Sequence, residues 1–217
     1  MKLKKPLICL PVFLTMIVVF ALVSPVYGQR FSAAVTGGIN ACQIDGDMLA
    51  GYDKIGLTGG IRAIINFESR LGLNVEFLYS QRGSRPDIFN PDYDPDININ
   101  LVYAELPVYA TLGDWWQEEG KYYKVSVQAG FSYGRLINAR TFDYFHTSDM
   151  NLDKIVPFFN NNDISWLVGL SYRLGPHWGL TGRYTRGITP LLSPAKHNLA
   201  TEKLVSYFIS FRGEYYF

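Results

Sequence analysis

An eight-stranded antiparallel up-and-down transmembrane β-barrel, preceded by a cleaved signal peptide, is the fold class this sequence predicts. Three observations predict it. Runs of about ten residues alternate apolar and polar side chains, the length a tilted strand needs to cross a bilayer. Short connections alternate with long ones between those runs. The chain opens on a secretory leader and stops on an aromatic strand, residues 204–217. An unpaired apolar strand of that kind invites aggregation in water, and barrel closure removes the edge.

The leader comes first. Lys2, Lys4 and Lys5 precede an apolar run over 7–23, and Val26-Tyr27-Gly28 supplies a small-residue exit. That order reads as a signal peptide cut after Gly28, so 1–28 is the leader and 29–217 a single outer membrane barrel domain. Pro25 favours removal over retention as an anchor, and Cys9 lacks the small residues that precede a lipid-modified cysteine. Cleavage leaves about 189 residues, a length that suits one domain. No later stretch is long and apolar enough for a membrane helix. Cys42 is then the one remaining cysteine, which excludes an intramolecular disulfide and a C-x-x-C site. A formal net charge of +1 gives no support to a nucleic-acid partner.

The strands follow from alternation. Apolar positions recur at every second residue over 31–39, 55–67, 71–79, 102–112, 125–133, 164–174, 178–184 and 205–217. The intervening positions carry Arg62, Asn66, Asn74, Glu76, Glu105, Lys124, Gln128, Arg173, Arg183, Arg212 and Glu214. In a soluble sandwich these side chains would meet solvent. In a membrane barrel they point into the lumen while the apolar faces meet lipid.

Connection lengths separate the two. The links after the second, fourth and sixth runs are short or moderate, and the other four reach about 14, 17, 24 and 15 residues, as periplasmic turns and extracellular loops do. Aromatic placement agrees. Phe31, Phe67, Trp115, Trp116, Tyr122, Tyr172, Trp178, Tyr215 and Phe217 fall near the short-turn end, and Tyr79, Tyr133, Trp166, Tyr184 and Tyr207 near the long-loop end. Two such girdles anchor amphipathic rings at two membrane–water interfaces.

Pro107 removes one ladder donor and should mark a bulge or weak point in the fourth strand. Gly59, Gly60, Gly130, Gly169 and Gly182 are expected to relieve crowding on the inner wall of a small barrel. A barrel of this size is only wide enough for side chains to fill it. Glu76, Glu105 and Glu214 are therefore expected to neutralise Arg62, Arg183 and Arg212, forming a polar plug and not a conducting pore.

The ordered segments Gly37-Gly38-Ile39-Asn40, 75–83 (VEFLYSQRG) and 103–108 (YAELPV) resemble the outer-membrane β-barrel family named after PorT, common in Bacteroidetes. Gln128-Ala129-Gly130, 168–172 (VGLSY) and 183–188 (RYTRGI) are similar to it as well. The resemblance covers the mature chain, and the ordered set carries it more than any one segment. It implies an eight-stranded outer-membrane barrel. The namesake is tied to type IX secretion and gliding, so secretion-machinery proteins are a possible set of partners.

Candidates for chemistry are sparse. His177 lies in a short turn beside Trp178 and reads as a turn cap. His146 precedes Thr147 and Ser148 in the longest loop. A lipid hydrolase would need a base, an orienting acid and a nucleophile in register on the barrel wall, which a loop pair does not supply. Asp92, Asp94 and Asp96 mimic calcium-loop spacing, but Ile97 stands where glycine is needed and Tyr103 where glutamate is needed. No catalytic, metal or cofactor site is assigned. The expected role is structural or interactive, with type IX secretion, a small-solute channel and a lipid-modifying enzyme as alternatives.

Expected partners are outer-membrane lipid, lipopolysaccharide and, during assembly, the barrel-insertion machinery. Tyr215 and Phe217 resemble the C-terminal signal that this machinery reads. Phe142, Tyr144, Phe145, Phe158 and Phe159 load the third long loop with aromatics, which points to self-packing over the barrel mouth or to a contact surface.

Overall fold

A computed structural model of the chain describes residues 31–46, 51–67, 70–86, 97–143, 158–192 and 203–217. The strands are β1 (Phe31–Asp45), β2 (Lys54–Asn66), β3 (Leu71–Ser84), β4 (Ile97–Gln117), β5 (Tyr122–Asp143), β6 (Asn162–Arg173), β7 (Trp178–Gly187) and β8 (Val205–Tyr216). Each pairs antiparallel with its sequence neighbour, and β8 returns to β1 to close the barrel. The closing register runs from Ala34 opposite Tyr216 to Asp45 opposite Val205. Closure leaves no exposed sheet edge, so the backbone polar groups within the wall are paired inside it.

Period two is kept on the wall. In β8, Ser206, Phe208, Ser210, Arg212, Glu214 and Tyr216 are buried, while Phe211, Tyr215 and Phe217 are exposed. Ile61, Phe77, Phe131, Leu170 and Leu180 likewise point outward from five other strands. A band of exposed aliphatic and aromatic side chains around a polar interior suits lipid outside and a filled lumen inside. Phe31, Phe67, Trp115, Trp116, Trp178 and Phe217 are exposed at the rim that holds the three short turns and the chain's C-terminus. Tyr79 and Tyr133 are exposed toward the other rim.

Several details differ from expectation. The strands run further than the apolar pattern does, so the first three long connections shrink to 46–53, 85–96 and 144–161 and the turn after β4 to 118–121, while the fourth long connection, 188–204, is slightly longer than expected. The alternation of short and long connections survives. Pro107 interrupts the β3–β4 ladder: pairing stops at Val75 with Val108 and resumes at Leu78 with Glu105. The bulge itself lies elsewhere, where the β4–β5 register shifts between Val102 and Tyr103. Gly60 and Gly130 do sit on the crowded inner wall, where a Cβ would fall 1.9 Å from the Phe77 carbonyl oxygen and 2.3 Å from that of Val108. Gly182 faces open space, and Gly59 would meet nothing closer than 3.3 Å, so neither relieves inner crowding.

Two rim residues also depart. Lys124 lies not in the lumen network but over the exposed Trp115 ring at 4.4 Å, because Trp115 takes a left-handed backbone conformation (φ 59°) that breaks the alternation there. Tyr122 packs under the Arg173 guanidinium at 5.3 Å, which also covers the buried Tyr216 ring at 3.6 Å. Tyr122 thus joins the closure of the lumen and not the outer girdle. The leader, the Asp92–Asp94–Asp96 loop, His146 and Ser148, and Tyr144 and Phe145 lie outside the described residues.

Candidate functional site in the barrel lumen

The inward face holds two ionic clusters stacked along the barrel. The one nearer the short turns centres on Glu76 of β3. Its carboxylate accepts from Arg62 Nε at 2.8 Å, Arg183 Nη1 at 2.8 Å, Arg212 Nη1 at 3.1 Å and the Tyr109 hydroxyl at 2.5 Å. Glu214 of β8 accepts a two-point pair from Arg62 and further bonds from Thr181 and Tyr216. Gln128 Oε1 accepts from Arg183 Nε at 2.9 Å, and its amide passes the chain on to Ser171 and Thr181. The Tyr109 ring lies under the Arg183 guanidinium at 4.4 Å. Six strands, β2, β3, β4, β5, β7 and β8, therefore meet through charged bonds between buried side chains.

The second cluster stands toward the long-loop rim. Arg82 donates through Nη1 to Asp163 at 2.7 Å and through Nε to Glu105 at 2.8 Å. Tyr103 and Phe208 cover its guanidinium at 4.6 and 4.4 Å. Above it lies an apolar lid of Ile44, Ile99, Leu101, Tyr103, Phe159, Leu191, Leu192 and Leu204. Backbone bonds from Asn160 to Leu191 and from Leu191 to Leu204 tie the lid's segments together. At the opposite end, Ala34, Ile64 and Tyr216 form a small apolar floor.

The charges are not balanced cluster by cluster. Arg62, Arg183 and Arg212 against Glu76 and Glu214 leave one cation in excess. Arg82 against Glu105 and Asp163 leaves one carboxylate in excess. The excesses face each other across a cavity of about 10 Å³, lined by Glu105 on one side and Arg183 and Arg212 on the other. That is space for about one water. Arg212 is the loose member: its Nε and Nη2 are buried with no hydrogen-bond partner among the described residues.

Of the interior residues named from sequence, Arg62, Glu76, Arg183, Arg212 and Glu214 come together in one cluster. Glu105 does not join them and pairs with Arg82 instead. Sequence reasoning missed Arg82, Asp163, Tyr109 and Tyr216. The signal for Arg82 was available, since it shares the parity of Asn74, Glu76 and Ser80 on one strand. Asp163 likewise shares the parity of Ser165 and Ser171 on β6. Tyr215 and Phe217 sit at the short-turn rim, with Tyr215 against Trp178 at 5.1 Å and against Phe217 at 5.4 Å.

The outer membrane protein beta-barrel domain family matches residues 24–193 of the chain. No curated protein matches it. Among solved structures it is similar to Ail, the attachment invasion locus protein of Yersinia pestis, at 12% identity over 87% of this chain and 100% of that one, with a TM-score of 0.45. It is also similar to Neisserial surface protein A, at 15% identity over 87% and 99%, with a TM-score of 0.44. A further similar structure is OprG of Pseudomonas aeruginosa, at 10% identity over 86% and 94%, with a TM-score of 0.37. The family match spans most of the chain and its barrel is closed, so this protein belongs to the outer membrane β-barrel family and resides in the outer membrane.

Proposed function

We propose that this barrel has a non-enzymatic, structural or interaction role: a rigid, non-conducting wall that displays long extracellular loops. The filled lumen carries the proposal. Arg62, Glu76, Arg183, Arg212 and Glu214 are buried in mutual contact, and Arg82, Glu105 and the apolar lid stand above them. An ion crossing this interior would have to part charged pairs in a low-dielectric space, which costs several kcal/mol per pair by the usual magnitudes. Buried ion pairs that link non-adjacent strands also fix register and stiffen the wall beneath the loops. Single-channel recording of the barrel in planar bilayers is the test. The expected result is no stable conductance at any holding voltage, and a reproducible open state would overturn the plug.

The ordered segments that resemble the PorT-named family support a second reading, in which the barrel is a component of or accessory to type IX secretion. Co-purification with secretion subunits from native membranes supports it. Normal secretion in a deletion strain sinks it.

A further inference from the structure

The two ionic clusters are stacked with a gap between them, and β5 opens that gap. It turns three small residues, Gly130, Ser132 and Gly134, toward the lumen at this level. Ser132 stands opposite Pro107 of β4, and the proline ring offers its hydroxyl no hydrogen-bond partner. The cavity of about 10 Å³ lies here, among Ser132, Pro107, Glu105, Leu78, Leu167 and Arg212.

Other polar groups on its wall are committed elsewhere. Arg183 donates to Glu76 and Gln128. Ser210 donates to Asn40, whose amide donates to Ser80. Three buried atoms on the lining residues have no partner among the described residues: Arg212 Nε, Arg212 Nη2 and Ser132 Oγ. Arg212 and Ser132 are each 3% exposed, so bulk water does not serve them. Glu105 adds an acceptor. Arg82 reaches it through Nε and Nη2, and both nitrogens fall on Oε1, so neither contact uses Oε2.

Size and charge select what binds. Space for about one water excludes a phosphate or any larger organic anion. The cluster on one side carries a cation in excess, and the cluster on the other a carboxylate in excess. A halide would meet Glu105, and a metal cation would meet Arg183 and Arg212. A neutral dipole suits both walls, with its oxygen toward the guanidinium and a hydrogen toward the carboxylate.

We infer that this cavity is a binding site for a single water molecule, which accepts from Arg212 and donates to Glu105, with Ser132 as its third partner. The water joins the two clusters into one chain that runs from Asp163 through Arg82, Glu105, the water and Arg212 to Glu76. It satisfies N–H groups of Arg212 without cancelling their charge, so Arg212 stays the least compensated cation of its cluster. The site rests on the filled lumen proposed for this barrel. Conductance tests the lumen and occupancy tests the site, so either can fail alone.

The test is crystallography of the refolded barrel at a resolution that places waters, with and without a sodium bromide soak. One solvent peak is expected within about 3.2 Å of Arg212 Nε or Nη2 and of a Glu105 carboxylate oxygen, with no anomalous signal from bromide. Ser132→Val fills the cavity with methyl groups and should lose the peak, whereas Ser132→Ala leaves the space open and should keep it. In micelles, the Leu78 and Leu167 methyl protons should show nuclear Overhauser contact to a slowly exchanging water, lost in Ser132→Val. A wild-type map with no peak at this place, or a peak unchanged in Ser132→Val, overturns the site. An anomalous bromide peak there overturns its assignment to water and makes it an anion site.

Discussion

Arg62 and Glu214 stand 152 residues apart in sequence and meet as a two-point ion pair inside the barrel. Their strands, β2 and β8, flank β1 on either side. The pair therefore reaches across β1, which presents only Ala34, Thr36 and Gly38 to the lumen at this level. Small inward side chains on the closing strand leave the room in which Arg62 crosses over. The seam that joins the first and last strands is thus bonded twice, once by the β1–β8 ladder and once from within.

The network's members should not weigh equally. Glu76 accepts from Arg62, Arg183 and Arg212, so Glu76→Gln leaves these cations facing one another around a weakened acceptor. A buried pair broken from one side costs about 3–5 kcal/mol, and this variant should fall in that range by urea unfolding in micelles. Arg212 makes one bond to Glu76 and buries unpartnered nitrogens. Arg212→Met should cost less than about 1 kcal/mol, because it removes a poorly compensated cation. Equal losses for the two variants would show that the excess positive charge of this cluster has no energetic weight.

Two adjacent glycines make a sharper pair. At Gly38 a Cβ would lie 2.0 Å from the Phe211 carbonyl oxygen and 2.7 Å from the Arg212 Cα, both backbone atoms that cannot swing away. At Gly37 it would meet nothing within 4 Å. Gly38→Ala should prevent the heat-modifiable band shift that marks a folded barrel on gels. Gly37→Ala should fold as the parent does, within about 0.5 kcal/mol. Normal folding of Gly38→Ala would mean that β1 and β8 approach less closely than they do here.

The barrel was legible because lipid and lumen impose opposite demands on alternate residues, as β8 shows with Ser206, Ser210, Arg212 and Glu214 inward and Phe211 and Tyr215 outward. The rest was hidden where that contrast fades. β4 begins at Ile97 and β5 runs to Asp143, past the bilayer, where Asn98, Asn100 and Arg140 no longer alternate with lipid-facing apolar residues. Arg82 and Asp163 lie in the same zone, which hides the pairing of Arg82 with Glu105 and Asp163. The lid inverts the rule: Ile44, Ile99, Leu101 and Leu204 are apolar and face inward, so parity read as polar-inside misplaces them. Which carboxylate meets which arginine depends on the axial offset between strands, and no local pattern encodes that.

Cys42 should report folding. It is fully buried beneath the lid, with its thiol directed at the Gln81 carbonyl oxygen at 3.7 Å. A refolded barrel of residues 29–217 should resist a water-soluble maleimide, while the same chain unfolded in urea labels at once. Rapid labelling of the folded barrel would show that the lid opens on the timescale of the reaction.

The last two residues separate stability from assembly. Tyr216 faces inward, where its hydroxyl bonds Glu214, its ring lies under Arg173 at 3.6 Å and its amide donates to the His177 carbonyl at 2.7 Å. Phe217 faces outward, 73% exposed, and its backbone amide donates to the Ala33 carbonyl at 3.0 Å. Tyr216→Phe removes a buried hydroxyl between Glu214 and Arg62 and should lower stability by about 1–3 kcal/mol without slowing insertion. Deletion of Phe217 removes one ladder bond and one interfacial ring, which should cost about 1 kcal/mol at most in spontaneously refolded barrel. In vesicles carrying the insertion machinery, the same deletion should cut the assembly rate severalfold if Phe217 acts as the insertion signal its sequence suggests. Wild-type assembly of the Phe217 deletion alongside impaired assembly of Tyr216→Phe would reverse the assignment, leaving the terminal aromatic as a strand end and the inward tyrosine as the residue that seats β8.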